Sequence, residues 1–204
     1  MATIIDGKAL AAKVKAQVAE ELSASGIKAG LAVIIVGDNP ASRIYVNNKR
    51  SDCRECGIES FEYALAEDTS EHELLELIKA LNCDDRVDGI LVQLPLPEQI
   101  DEQKILRAIA PDKDVDAFHP YNVGLIMTGE YRFLPCTPAG VMTMLEEYGI
   151  EIDGKNCVVV GRSNIVGKPQ AMLLLHKSGT VTICHSHTKN LAEITREADI
   201  LVAA

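Results

Sequence analysis

The stretch Val158-Val-Val-Gly-Arg-Ser-Asn-Ile-Val-Gly-Lys-Pro169 constrains this chain more than any other. A short β-branched run that breaks into a glycine-bearing turn places backbone amides where an anion can sit. Three valines read as a buried parallel strand. Gly161 permits a tight turn, and Gly167 lets a helix over Lys168 to Lys177 pack closely on the sheet. The first amides of that helix lack intrahelical acceptors and can face a phosphate. The spacing is Gly-x-Ser-x-x-x-Gly, so it departs from Gly-x-Gly-x-x-Gly at its second and third glycines. A second strand follows at Thr180-Val-Thr-Ile-Cys184. Beyond it, where an acidic residue would take a ribose 2′-hydroxyl, stands His185-Ser-His-Thr-Lys189 without a carboxylate. Arg162 and Ser186 with nearby cations suit a 2′-phosphate, which favours NADP over NAD.

Upstream, strand and helix patterns alternate. Leu10, Val14, Val18 and Leu22 recur four apart over residues 6 to 22, an amphipathic helix. Leu31 to Val36 is a buried strand. Pro40 suits the first turn of a helix running to Cys56, with Asp38 or Asn39 as its cap. Glu59 to Leu65 alternates as a strand, and Ser70-x-x-Glu73 is a capping box opening a helix to Leu81. Gly89-Ile-Leu-Val-Gln-Leu-Pro-Leu-Pro97 is a buried strand with a proline turn, followed by a helix over Asp101 to Ala110. Such alternation predicts an α/β fold whose ligand crevice lies at the carboxyl ends of parallel strands. Pro111 to Pro138 reads as a linker and binding loop, with Thr137 capping a helix that has Pro138 in its first position. The expected domains are 1–137, an α/β substrate domain in three layers, and 138–204, a Rossmann-type domain.

With 204 residues, 47% of them hydrophobic, the chain can bury two modest cores. A formal charge of −10 without a Lys/Arg run argues against nucleic acid and anionic membranes as partners. The apolar runs are strand-sized and no signal pattern opens the chain, so a cytoplasmic protein is expected. Cysteines at 53, 56, 83, 136, 157 and 184 read as reduced thiols. Cys53-x-x-Cys56 lacks a second ligand pair, and no metal is expected.

Chemistry concentrates at few positions. Tyr45 and Lys49 stand four apart on one helix, sharing a face. A buried lysine can transfer protons near neutral pH, and a neighbouring phenol can orient it or the substrate; a solvated helix face is the plainer account. Gln93 is polar within an apolar strand, and leaving such an amide unpaired costs about 1–3 kcal/mol, so it needs a partner, either Lys49 or backbone. Asp112, Asp114 and Asp116 alternate, as a solvated acidic loop or as one carboxylate gripping the amino-pyrimidine edge of a heterocycle. No Gly-x-Ser-x-Gly elbow points to a serine hydrolase.

Tyr45-x-x-x-Lys49, Asn82-Cys-Asp-x5-Ile90-Leu-Val-Gln-Leu-Pro-Leu96, Lys113-Asp-Val-Asp116, Pro135-Cys-Thr-Pro138 and Gly161-Arg-Ser-x-Ile-Val-Gly167 together resemble the bifunctional methylenetetrahydrofolate dehydrogenase/cyclohydrolase family, across the whole chain. The resemblance implies NADP-dependent oxidation of 5,10-methylenetetrahydrofolate and hydrolysis of the methenyl product to 10-formyltetrahydrofolate. It implies Lys49 as the acid/base, Tyr45 placing the folate, Gln93 tuning Lys49, Leu94 at the substrate and Asp116 on the pterin. It also implies Gly161, Arg162 and Ser163 as the cofactor turn, with Arg162 and Ser186 on the 2′-phosphate, and a homodimer. Ala117 stands where the family has glycine, which constrains the Asp116 loop if that site needs positive φ. The family continues beyond Ala204 through a second half of the nucleotide fold, so an incomplete Rossmann-type domain is expected. Two alternatives remain at this point: another NADP dehydrogenase of shikimate-dehydrogenase-like architecture, and a non-catalytic folate- or nucleotide-binding module.

Overall fold

A computed structural model describes residues 2–204, and the side chain of Ala41 lies outside the description. By contact the chain divides into two compact units, one over Asp6–Val115 and one over Asp116–Ala204 together with the residues up to Ile5. Each is an α/β unit around a three-stranded parallel sheet.

The first unit runs α1 (Gly7–Ser25), β1 (Gly30–Val36), α2 (Pro40–Cys56), β2 (Glu59–Leu65), α3 (Glu71–Asn82), β3 (Gly89–Val92) and α4 (Glu102–Ala108), with strand order β2-β1-β3. Alternation along β1 divides its side chains between two cores. Ala32, Ile34 and Val36 join Ile90 and Val92 of β3 under Leu74, Ile78 and Leu81 of α3 and Ile105 of α4. Val33 and Ile35 join Leu91 and Val46 of α2 on the other face. A sheet covered on both faces explains why β1 is a continuous apolar run. The Ser70 capping box forms as expected: Ser70 Oγ accepts from Glu73 N, and Glu73 Oε2 accepts from Ser70 N. Helix α1 keeps its stripe only half covered, with Val14 and Val18 exposed.

Two motif residues turn out to hold this unit together. Asn82 Nδ2 donates to Ala108 O at 2.8 Å and its Oδ1 accepts from Ala110 N at 2.9 Å, tying α4 to α3. Lys113 Nζ donates to Leu81 O and Asp84 O at 3.1 and 2.9 Å, satisfying carbonyls at and just beyond the carboxyl end of α3. Between them Asp84 takes Arg86 at three points, Nε to Oδ1 at 3.0 Å, Nη2 to Oδ2 at 2.7 Å and the backbone N to Oδ1 at 3.0 Å. Those bonds lower Asp84 from the usual carboxylate range to about 2. A folded value below the unfolded one means that this pair stabilises the fold above pH ~4. That contribution is lost as pH falls through about 2. Asp84→Asn is therefore expected to flatten the fall of melting temperature between those limits; a slope equal to the parent's would remove Asp84 from the acid response.

The second unit runs α5 (Pro120–Thr128), α6 (Cys136–Glu147), β4 (Asn156–Val160), α7 (Gly167–His176), β5 (Thr180–Cys184), α8 (Leu191–Arg196) and β6 (Ile200–Ala203), with order β5-β4-β6. Its core joins Cys157 and Val159 of β4 with Leu145 of α6, Ala171 and Leu174 of α7, and Ile200. Two expectations are corrected here. Helix α5 lies inside the segment read as loop. His119 caps it by accepting from Tyr121 N at Nδ1, Pro120 fills its first position, and Gly129 closes it in the left-handed conformation. Helix α6 begins at Cys136, ahead of Thr137: the Pro135 carbonyl accepts from Ala139 N to close the first turn. Pro138 is tolerated there because the first four amides of a helix need no intrahelical acceptor.

Residues 116–128 pack with the second unit through α5, where His176 Nε2 lies 2.7 Å from Ile126 O. Ala117 is fully buried with φ +55°, the left-handed conformation that glycine adopts freely and that costs other residues roughly 1–2 kcal/mol.

Gln170 of α7 is fully buried. Its Nε2 lies 3.4 Å from Met142 Sδ, and among the described residues its Oε1 has no hydrogen-bond partner. A buried acceptor left unmade costs about 1–3 kcal/mol, so Gln170→Met, close in volume and unbranched, is expected to raise stability by about 1 kcal/mol. The check is a higher denaturant midpoint at unchanged m-value.

Candidate active site and nucleotide-binding turn

In the first unit, α2 starts on Pro40, whose fixed φ suits a helical first turn. Tyr45 and Lys49 share a face of this helix one turn apart, Tyr45 exposed and Lys49 half-buried. Lys49 Nζ donates to Gln93 Oε1 at 3.1 Å. Gln93 is the residue after β3 and is fixed twice more: its backbone N donates to Ile34 O at 2.8 Å and its Nε2 donates to Leu94 O at 2.8 Å. That second side-chain bond sets which end of the amide faces the amine. Both partners that the sequence allowed for Gln93, the lysine and backbone, are therefore present.

The nature of Lys49's partner matters. Lys15, on α1, lies between Asp52 and Glu55 at 2.9 and 2.6 Å, and the hydrogen bonds it donates to Glu55 and then Asp52 push its ammonium upward, holding the proton. Lys49 is met by a neutral amide. An amide oxygen orients the amine without pairing it to an opposite charge. Nearby, Arg43 is engaged by Asp38 at 2.9 Å and Arg50 by Glu62 at 3.4 Å. Cys53 and Cys56, on the same helix, are buried thiols pushed up chiefly by desolvation. Asp116, half-buried, opens the second unit directly before Ala117.

The glycine turn of the second unit is built as its sequence suggests. Gly161 has φ +145°, and its N donates to Cys184 O at 2.8 Å, continuing the β4–β5 ladder. A Cβ on Gly167 would lie 2.3 Å from Gly161 O and 2.8 Å from Arg162 N, so the start of α7 presses directly on the turn. Only glycine permits that approach. Ser163 has a role that sequence reasoning missed: its Oγ accepts from Val166 N at 3.1 Å and Gly167 N at 3.3 Å, capping α7, while its carbonyl accepts from Lys168 N. The Ser-x-x-x-Gly spacing was the available signal.

Val160 and Cys184 are register partners, so Arg162 and Ser186 each stand two residues beyond the same rung of adjacent strands. Both are exposed. Residues 185–189 carry two histidines and a lysine but no carboxylate. A close-packed backbone cradle at a helix start, a guanidinium on one strand exit and, on the next, a hydroxyl with Lys189 three residues on suit a phosphorylated dinucleotide.

A family model described as tetrahydrofolate dehydrogenase/cyclohydrolase, catalytic domain, matches residues 5–116, and one described as the NAD(P)-binding domain of the same enzyme matches residues 135–204. The bifunctional protein FolD of Ruminiclostridium cellulolyticum is 65% identical over 206 aligned residues, covering 100% of this chain and 72% of that protein. The crystal structure of FolD from Campylobacter jejuni superposes with a TM-score of 0.96 at 52% identity, covering 99% of this chain and 73% of that one. That of Trypanosoma brucei FolD, complexed with NADP cofactor and inhibitor, gives a TM-score of 0.94 at 38% identity, over 100% and 71%. With both of its units matched in order, this chain belongs to the tetrahydrofolate dehydrogenase/cyclohydrolase family.

Proposed function

We propose that Lys49 is the proton-transfer group of the hydrolytic reaction, oriented by Gln93, and that Arg162 and Ser186 select the cofactor. The chain is an enzyme of one-carbon folate interconversion: NADP-dependent oxidation of 5,10-methylenetetrahydrofolate, then hydrolysis of the methenyl product to 10-formyltetrahydrofolate. NADP, when bound, accepts the hydride of the first reaction. The observation that carries the assignment of Lys49 is its 3.1 Å hydrogen bond to a neutral amide.

In the hydrolysis, water adds to the electrophilic methenyl carbon. Lys49 takes a proton from that water as the O–C bond forms and returns it to N5 as the C–N5 bond breaks; the remaining hydroxyl proton leaves to solvent. The substrate already carries the positive charge that draws the nucleophile, so proton handling and positioning are what the side chains must add. Tyr45 places the folate, Leu94 lines its site and Asp116 holds the pterin edge. Gly161 and Ser163 shape the turn: Gly161 through its conformation, Ser163 by capping the helix behind it.

The division of labour follows residues 1–137 for folate and 138–204 for NADP. A cytoplasmic homodimer is the setting we assign; no helix among the described residues is long and apolar enough to cross a membrane. The test is calorimetric titration with a tetrahydrofolate and with NADP separately, followed by assays of both reactions. Binding of each with turnover in both is expected; binding without hydrolysis would reduce the chain to a folate- and nucleotide-binding module.

A further inference from the structure

We propose that His185 is the positioning residue for 2′-phosphate recognition, acting through the turn that carries Ser186. This rests on the assignment of Ser186 above. The chain leaves β5 into a four-residue turn closed three times over. Thr188 N donates to His185 O at 2.8 Å, His185 N donates to Thr188 Oγ1 at 2.8 Å, and His187 N donates to His185 Nδ1 at 3.1 Å. Ser186 and His187 occupy the exposed tip; the first two bonds span both, and the third spans Ser186. The first is the ordinary bond of a β-turn. The third is the informative one, because an imidazole nitrogen acts here as an asparagine oxygen does when it closes a turn on the amide two residues ahead.

An acceptor at Nδ1 puts the proton of the neutral ring on Nε2, so the tautomer of His185 follows from the turn. The ring is half-buried and meets His187 edge-on, with centroids 5.9 Å apart. His185 thus ties the backbone on either side of Ser186 with one side chain. Arg162, two residues past the partner rung on β4, has no such tether among the described residues and adapts to its ligand; the Ser186 hydroxyl is presented by a turn already closed.

The experiment uses the full chain and measures binding directly, with 2′,5′-ADP as the probe carrying the 2′-phosphate and 5′-AMP as the probe lacking it. His185→Ala, which removes the acceptor, is expected to weaken 2′,5′-ADP about three- to ten-fold, the factor that an exposed hydrogen bond supports. Affinity for 5′-AMP should stay within about two-fold. His185→Asn, whose Oδ1 replaces Nδ1, should restore 2′,5′-ADP binding to near the parent value. In the enzyme assay His185→Ala should raise KM for NADP and leave KM for NAD in place, while His185→Asn should keep both near the parent values. Equal losses in His185→Ala and His185→Asn, or equal losses for the two nucleotides, would overturn the proposal. Ser186→Ala separates this inference from its premise. Unchanged 2′,5′-ADP binding in Ser186→Ala would refute the assignment of Ser186 itself, whereas a loss there with none in His185→Ala would refute only the role of His185.

Discussion

Lys49→Met should lower the rate of methenyl hydrolysis by about 10²- to 10⁴-fold, the range that a positioned proton-transfer group supplies. The fold should survive the change. Lys49 is half-buried on the surface of α2 and, among the described residues, pairs with no carboxylate and makes one side-chain hydrogen bond, to an amide held independently by Ile34 and Leu94. Methionine keeps the length of the stem, so the packing along the helix is largely retained. Gln93 is only half-buried, so water can take the place of the amine, which keeps the stability cost small. Folate binding, by contrast, should fall much less than the rate, because the lysine is assigned to bond making and breaking more than to holding the pterin. A hydrolysis rate within a few-fold of the parent's would remove Lys49 from the chemistry.

Arg162→Ala should weaken NADP about 10- to 100-fold while weakening NAD only marginally. The estimate is that of a charge-assisted contact to phosphate, taken at an exposed position where water competes. The selectivity follows from what the residue can reach: NAD offers a neutral hydroxyl where NADP offers two negative charges. The glycine turn should be intact in this variant, because its geometry depends on Gly161, Gly167 and the Ser163 cap and not on the guanidinium. Steady-state KM values for the two cofactors, or direct titration, measure the effect. Parallel losses for NADP and NAD would show that Arg162 supports the turn generally and does not read the 2′-phosphate.

Much of this architecture is legible in the sequence because burial on both faces of a parallel sheet writes continuous β-branched runs. Leu31–Val36 and Val158–Val160 are such runs, and each forms the central strand of its unit. Ser70 and Glu73 announce a helix start by chemistry that works locally, and it does so in the fold. Helix α5 was hidden because its cap is a histidine, a side chain seldom used for that purpose, and because Pro120 and Gly129 are as common in loops as at helix ends. At the site, the types of group were readable, and their partners only as alternatives. Gln93 in an apolar run demanded a partner, but only the packing of α2 beside β3 supplies the amine. Ser163 reads as a cofactor residue and serves first as a helix cap; Lys113 sits in an acidic motif and is occupied by carbonyls at the end of α3. Ala117 shows the opposite case, in which a residue out of place against the family pattern foretold a left-handed backbone that the fold contains.

The most direct measurement compares hydrolysis of preformed 5,10-methenyltetrahydrofolate by the parent, Lys49→Met and Lys49→Arg, each above the spontaneous rate. Arginine carries a fixed positive charge and can hydrogen-bond Gln93, yet stays protonated and cannot take a proton from water. If the amine works by proton transfer, Lys49→Arg should be as inactive as Lys49→Met, while both still bind the folate. Hydrolysis by Lys49→Arg at or near the parent rate would show that charge alone suffices and would contradict the role given to Lys49.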